Sequence, residues 1–202
     1  MLDPPTLTGS YGSTSSSLLA RAKQRDPAAW HRLVQLYSPL VYYWCRNTRL
    51  RAEDAADLVQ EVFRSVAGGL SRFSHEAENA SFRAWLRTIT LNKLRNFVRK
   101  QQAVAEAAGG SEAHRNLLEI ADRLAADDSS IHESDIVLLC KRALELVEAE
   151  FQPQTWQVFW RVFIEGQFPA DVAADLGISI GAVYKAKSRV LARLREELND
   201  LL

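Results

Sequence analysis

Asp171–Leu194 reads DVAADLGISIGAVYKAKSRVLARL, and the organisation of the chain follows from it. A short amphipathic stretch, Asp171 to Leu176, runs into Gly177-Ile178-Ser179 and then into a longer basic one. Gly177 suits the positive φ of a tight interhelical turn, and Ser179 is a good N-cap for a second helix. Val172, Leu176, Ile178, Val183 and Val190 supply small apolar faces that lock two helices at a steep angle. The pattern predicts a helix-turn-helix, a motif whose second helix can enter a DNA major groove. Gly181 to Arg195 carries five Lys or Arg and no Asp or Glu. With Val183 and Val190 inward, helical phase turns Tyr184, Lys185, Ser188 and Arg189 outward. These four are the candidate base or phosphate contacts, with Gly181 allowing close approach. Lys187 falls nearer the core and is expected to snorkel along the surface.

Working outward, 202 residues suffice for one large domain or two small ones, and 47% apolar content supports a real core. Lys plus Arg and Asp plus Glu balance at 25 each. That zero net charge argues against indiscriminate nucleic-acid binding and confines any DNA contact to local patches. Cys45 and Cys140 lie far apart, with no CxxC pair and no His cluster beside them. They read as reduced, buried thiols, not as a metal site or a disulfide. No apolar run reaches membrane-span length, and the N-terminus lacks a basic flank and an apolar signal core. The chain is therefore expected in the cytoplasm, away from membranes.

Residues 1–17 are mostly Ser, Thr, Gly and Pro and read as a disordered tail. Asp26-Pro27 marks a helix start, after which Trp30, Leu33, Val34, Tyr37, Val41 and Trp44 recur at core spacing. The next helix, Ala52 to about Val66, places Asp54, Asp57, Gln60 and Glu61 on a narrow arc opposite Val59, Val62, Phe63 and Val66, at about 100° per residue. Such an acidic stripe suits a basic protein partner, although a solvated polar face has the same composition. Gly68-Gly69 is expected to break this helix. A polar loop, Phe73 to Ala80, precedes a long helix from Ser81, SFRAWLRTITLNKLRNFVRK. Thr88, Asn92, Arg95 and Arg99 share one arc of it, with Trp85 and Asn96 on the edge. Asn79 to Ala105 carries six basic residues and no acidic one. Amide, hydroxyl, guanidinium and indole on one stripe can grip a nucleic-acid backbone and stack on bases. An exposed basic helix with Trp85 in the core is the competing reading.

Between Ala105 and Asp135, eight acidic residues face two arginines, which predicts a flexible acidic linker and a domain boundary. Helices are expected at about Asp135–Glu150, capped by Ser134, and at Thr155–Glu165, begun by Pro153 and ended by Gly166. No strand alternation is visible. The fold class is all-α: two small helical domains joined by a flexible acidic linker, the C-terminal one a helix-turn-helix.

The order of these features resembles bacterial RNA polymerase sigma factors of the extracytoplasmic-function type. DAADLVQEVF, Asp54 to Phe63, looks like their polymerase-binding helix; SFRAWLRTITLNKLRNFVRK and a separate helix-turn-helix follow at the expected distances. The resemblance implies a tail at 1–17, a region 2-like domain at 18–102, a linker at 103–134 and a region 4-like domain at 135–202. It implies that Asp57, Gln60 and Glu61, with Asp54 beside them, dock on the coiled coil of the largest polymerase subunit. Trp85 matches the aromatic of the promoter-melting segment, and Asn92 and Asn96 match positions near the −10 element. By the same resemblance Phe73 to Ala80 helps hold a flipped −10 base, and the recognition helix reads the −35 element as duplex. The linker would thread the RNA-exit path. Tyr184 and Ala186 stand where such factors often carry a basic residue and an arginine, so no particular −35 sequence follows.

The implied partners are core RNA polymerase, promoter DNA (duplex at −35, single-stranded at −10) and a candidate anti-sigma factor, with no cofactor, metal or membrane. A lone helix-turn-helix buries a modest interface, and nothing here resembles a dimerisation zipper, so a polymerase would supply the missing contact area. The alternative is a free-standing helix-turn-helix regulator that does not dock on polymerase. An enzyme is a third reading, but the four histidines are scattered, with no nucleophile or metal spacing around them.

Overall fold

The computed structural model describes residues 18–48, 50–73, 81–107 and 133–198. The expectations for the tail, for the loop after Phe73 and for most of the acidic linker lie outside the described residues. Among the described residues every regular element is helical. In order these are α1 (Leu18–Lys23), α2 (Pro27–Arg46), α3 (Ala52–Gly69) with a 3-10 turn (Leu70–Arg72), and α4 (Phe82–Ala107). Then follow α5 (Glu133–Glu148), α6 (Pro153–Phe159) with a π turn (Trp160–Ile164), α7 (Pro169–Leu176) and α8 (Ile180–Leu198).

α2 begins where the Asp-Pro signal places it. The Asp26 carboxylate accepts from Ala28 N at 2.9 Å and Ala29 N at 3.3 Å, satisfying amides the helix itself leaves open. Arg21 donates to the same carboxylate at 2.6 Å and, with those amides, holds it below the ordinary carboxylate value. Leu33, Leu36, Tyr37, Leu40, Val41 and Trp44 are buried on more than one side of α2. A helix buried on several sides is central, and α1, α3, α4 and α5 all pack against it.

Gly68-Gly69 does not break α3, contrary to expectation; the helix passes through both and tightens into the 3-10 turn. The pair serves proximity instead. A Cβ on Gly69 would lie 3.2 Å from Trp85 Cζ2, so any side chain here would press the indole back by a few tenths of an ångström. Ser134 likewise does not cap α5, which already begins at Glu133. α4 continues to Ala107, beyond the expected start of the linker at residue 103. Cys45 is buried as expected, and burial pushes its thiol up to about 12. Cys140 is only half-buried; burial raises its thiol as well.

Gly177 has φ 64° and caps α7 in the left-handed region, a conformation glycine adopts without a Cβ clash. Ser179 Oγ accepts from Ala182 N at 3.1 Å at the start of α8. Val158, Val162, Val172, Ala173, Val183 and Ala186 form a small core of their own, flanked by Leu176 and Ile178. The larger core is continuous from α1 through α5, and it also takes in Trp156, Phe159, Val190 and Leu194. α5 and the C-terminal part of α8 therefore share a core with the N-terminal helices, and the small core belongs to the helix-turn-helix.

Candidate nucleic-acid interface and partner face

On α3, Leu58, Val62, Phe63 and Val66 are buried, and this fixes which side faces out. Asp57, Gln60 and Glu61 are exposed. Asp54 differs: it is half-buried and ion-paired to Arg51, Nε to Oδ2, at 2.9 Å. The exposed carboxylate charge of the face rests on Asp57 and Glu61, with the Gln60 amide between them.

On α4, Phe82, Leu86, Leu91, Leu94 and Val98 are buried. Thr88, Asn92, Asn96 and Arg99 are exposed, and Arg95 is half-buried. The Thr88 hydroxyl donates to Ala84 O at 3.1 Å, so toward solvent it offers an acceptor only. Trp85 is half-buried. Its ring lies 5.0 Å from that of Phe73 and 5.7 Å from that of Phe82, with Gly69 against its edge. The indole is thus packed against the core over part of its surface and left accessible over the rest.

On α8, Gly181, Tyr184, Lys185, Ser188 and Arg189 are all exposed, Tyr184 by 54%. Arg189 Nη2 lies 3.4 Å from Thr155 Oγ1, which steadies its guanidinium beside the start of α6. Ala186, where the resemblance often implies an arginine, is buried in the small core; a longer side chain there would have to leave it. Lys187 is half-buried with Nζ 5.6 Å from the centroid of the Phe163 ring, so its stem runs over apolar surface and its charge meets a ring face.

Residues 33–104 match the family model described as Sigma-70 region 2. Over 179 residues the chain is 27% identical to RNA polymerase sigma factor CnrH of Cupriavidus metallidurans, an alignment covering 88% of this chain and 90% of that protein. It is 26% identical over 201 residues to ECF RNA polymerase sigma factor SigD of Mycobacterium tuberculosis, covering 96% and 88% respectively. The chain belongs to the extracytoplasmic-function sigma factors. It is also 31% identical over 147 residues to a probable RNA polymerase sigma factor, RfaY, of Xanthomonas campestris pv. campestris, covering 70% of this chain. This sigma factor spans only 33% of the length of that relative.

The region 2 match runs from α2 into α4 and so contains both the acidic face and the α4 stripe. α5 to α8 lie beyond it. Two further residues of this sigma factor escaped the sequence reading. Arg83 and Arg87 were counted within the basic stretch of α4, yet they are buried, 7% and 6% exposed. They lie on the opposite side of α4 from Asn92 and Arg99, at about 100° per residue. Helical phase alone separates them from the stripe; what they face is not legible locally. Among the described residues no three His, Cys, Asp or Glu side chains cluster as metal ligands. No helix there is long and apolar enough to cross a membrane.

Proposed function

We propose that this sigma factor is a transcription initiation factor that binds core RNA polymerase, directs it to promoters through −10 and −35 contacts and assists promoter melting. The observation that carries the reading is the region 2 match over two helices with opposite outward chemistry, acid and amide on α3, guanidinium, amide and indole on α4. The exposed face of α8 supplies a third, basic surface.

In this reading Asp57, Gln60 and Glu61, with Asp54 behind them, meet a basic polymerase surface, and complementary charge sets the register of docking. Thr88, Asn92, Arg95, Asn96 and Arg99 hold the −10 strand while Trp85 offers a stacking edge. Gly181, Tyr184, Lys185, Ser188 and Arg189 contact the −35 duplex. Residues 18–102 thus form the polymerase and −10 unit and 135–202 the −35 unit, with 103–134 between them. Stacking contributes about 1–3 kcal/mol per captured base. That is comparable with opening one base-pair step, so melting needs several captured bases together with the polymerase. The factor acts in the cytoplasm, where polymerase is, and an anti-sigma factor is a further partner of this reading. Sigma factors as a family are not enzymes, and no residue is given a catalytic role.

The test is transcription in vitro with sigma-free core polymerase on a promoter library, alongside core binding. Wild-type chain should give start sites that depend on it. Asp57→Ala with Glu61→Ala should weaken core binding at least tenfold. Normal core binding by that double variant refutes the docking face, and absence of both core binding and dependent start sites refutes the function.

A further inference from the structure

A cavity of about 420 Å³ opens between the α1–α2 turn and the end of α3, walled by Lys23, Arg25, Trp30, Gly68 and Ser71. None of these belongs to the α3 face, the α4 stripe or the α8 face. The volume suits one small organic molecule. The wall sets an indole beside two cations, with no carboxylate among its described residues. Trp30 is half-buried and held edge-to-face against Phe63, centroids 6.3 Å apart. Arg25 is the decisive residue. It closes α1 with φ 64°, its N–H donating to Ala22 O at 3.0 Å and that of Asp26 to Arg21 O at 3.1 Å. Such a closing position favours glycine, which has no Cβ to clash, yet the sequence supplies a guanidinium. That guanidinium is exposed, and no described residue pairs with it. Asp26, next in sequence, is engaged by Arg21 at 2.6 Å and by the first amides of α2. Lys23 places Nζ 5.2 Å from the centroid of Phe73, and the Phe73 ring lies 5.0 Å from that of Trp85. Phe73 therefore links the cavity to the edge of the α4 stripe.

We propose that this cavity is a nucleotide site, with the base against Trp30 and the phosphate gripped by Arg25 and Lys23. An indole stacks on a base of any sequence, and a guanidinium meets phosphate oxygens in a planar fork. An inorganic anion alone would leave the indole side of the cavity empty, and an apolar ligand would cover two cations without a counter-charge. Two sources share this chemistry: a nucleotide of the opened promoter strand and a free nucleotide. The route through Phe73 favours the strand. A base on Trp85 and a base in the cavity are about two or three nucleotides apart, at about 3.4 Å per stacked nucleotide. A strand seated at both places gains from the linkage, because the second contact forms at high effective concentration. The strand as source rests on the initiation reading; the cavity's affinity for a nucleotide does not.

The test uses the full chain carrying 5-fluorotryptophan, with the Trp30 signal assigned by Trp30→Phe. A single-stranded 12-mer of mixed sequence and the four deoxynucleoside 5′-monophosphates are titrated in turn. Anisotropy of the fluorescein-labelled 12-mer gives a second readout of binding, and co-elution reads core binding. A Trp30 shift with the 12-mer alone assigns the site to the promoter strand; a shift with a monophosphate assigns it to free nucleotide. Arg25→Gly should leave Tm unchanged or raised, because it relieves the left-handed φ. It should nonetheless weaken the probe that moves Trp30 by about fivefold and, for the 12-mer, lower the salt slope by about 0.7, the share of one phosphate on a single strand. Lys23→Met, which keeps an apolar stem over Phe73, should show a similar loss. A purely structural Arg25 would move Tm and leave affinity and slope alone. Trp30 unmoved by every probe, or Arg25→Gly with wild-type affinity and slope, overturns the site. A chain that neither co-elutes with core nor shifts Trp85 with the 12-mer overturns the initiation reading instead; a Trp30 shift with a monophosphate would still support the site.

Discussion

Gly68 and Gly69 are adjacent at the end of α3, and the same substitution should affect them in opposite ways. A Cβ at Gly68 meets nothing within 4 Å. Gly68→Ala should add about 0.5–1 kcal/mol from helix propensity and reduced unfolded-state freedom, raising Tm by about 1–4 °C for a chain of this size. Gly69 has φ −103° and ψ −15°, so alanine is conformationally allowed there too and gains a similar amount. The difference lies in space: its Cβ would sit 3.2 Å from Trp85 Cζ2 and 3.6 Å from Cη2. The indole must retreat by a few tenths of an ångström, but the rings of Phe73 and Phe82, at 5.0 and 5.7 Å, stand beside it. Overpacking of this kind costs about 1–3 kcal/mol, so Gly69→Ala should be neutral to about 2 kcal/mol destabilising. Urea unfolding measures the stabilities. Fluorine NMR of chain carrying 5-fluorotryptophan, with the Trp85 signal assigned by Trp85→Phe, reports the ring. Gly68→Ala should leave that signal in place, whereas Gly69→Ala should move it and slow promoter opening. A Gly69→Ala chain as stabilised as Gly68→Ala, with the Trp85 signal unmoved, would refute the wedge.

Val183 is fully buried in the small core of the helix-turn-helix, so Val183→Ala should cost about 2 kcal/mol. Hydrogen exchange should show α7 and the start of α8 loosening while α2 stays protected, with loss of −35 duplex binding. Lys185→Ala and Arg189→Ala should each lower the salt dependence of that binding by about one counterion if they touch phosphate; titrations at several salt concentrations measure the slope. The Cys45 thiol is raised from 9.0 to about 12 by burial. A folded value above the unfolded one contributes stability that is full below about pH 9 and lost as pH rises toward about pH 12. Urea midpoints should fall across that window, and less so in Cys45→Ala once its own cavity cost is subtracted. Alkylation followed by mass spectrometry should label Cys140 well before Cys45.

What the sequence discloses is governed by the range of the forces involved. Gly177, Ser179 and the Asp26-Pro27 start are readable because a turn or a cap is decided within three or four residues. The outward sides of α3 and α8 follow from apolar periodicity, and even the half-buried placement of Lys187 comes from phase. Gly69 is different: its partner Trp85 is sixteen positions away on another helix, so a residue that permits close packing looks like a breaker. The π turn at Trp160–Ile164 also leaves no local mark, because it adds a residue to one turn of an otherwise helical pattern. Arg83, Arg87 and Asp135 are the clearest case. Charge counting places them in a basic stretch and an acidic linker, yet their roles depend on one another across 52 positions. Periodicity could exclude the arginines from the α4 stripe, but only the folded chain shows what they hold.

α8 has its two ends in different cores. Val183 and Ala186 belong to the small one and Val190 and Leu194 to the large one, along a rod of 19 residues, about 28 Å in length. Sharp kinks arise at prolines, Gly/Ser pairs, π-bulges or inserted groups, and this helix has no proline, so it behaves as a tiller. A tilt of a few degrees imposed near Leu194 by a change of packing on α2 or α5 swings Tyr184 and Lys185 by about an ångström, without any substitution near DNA. The orientation of the exposed face of α8 is therefore set in part by the opposite end of the molecule. Under the proposed −35 contact, residues far from α8's exposed face would alter duplex binding, and drift in the large core would call for compensation on that face.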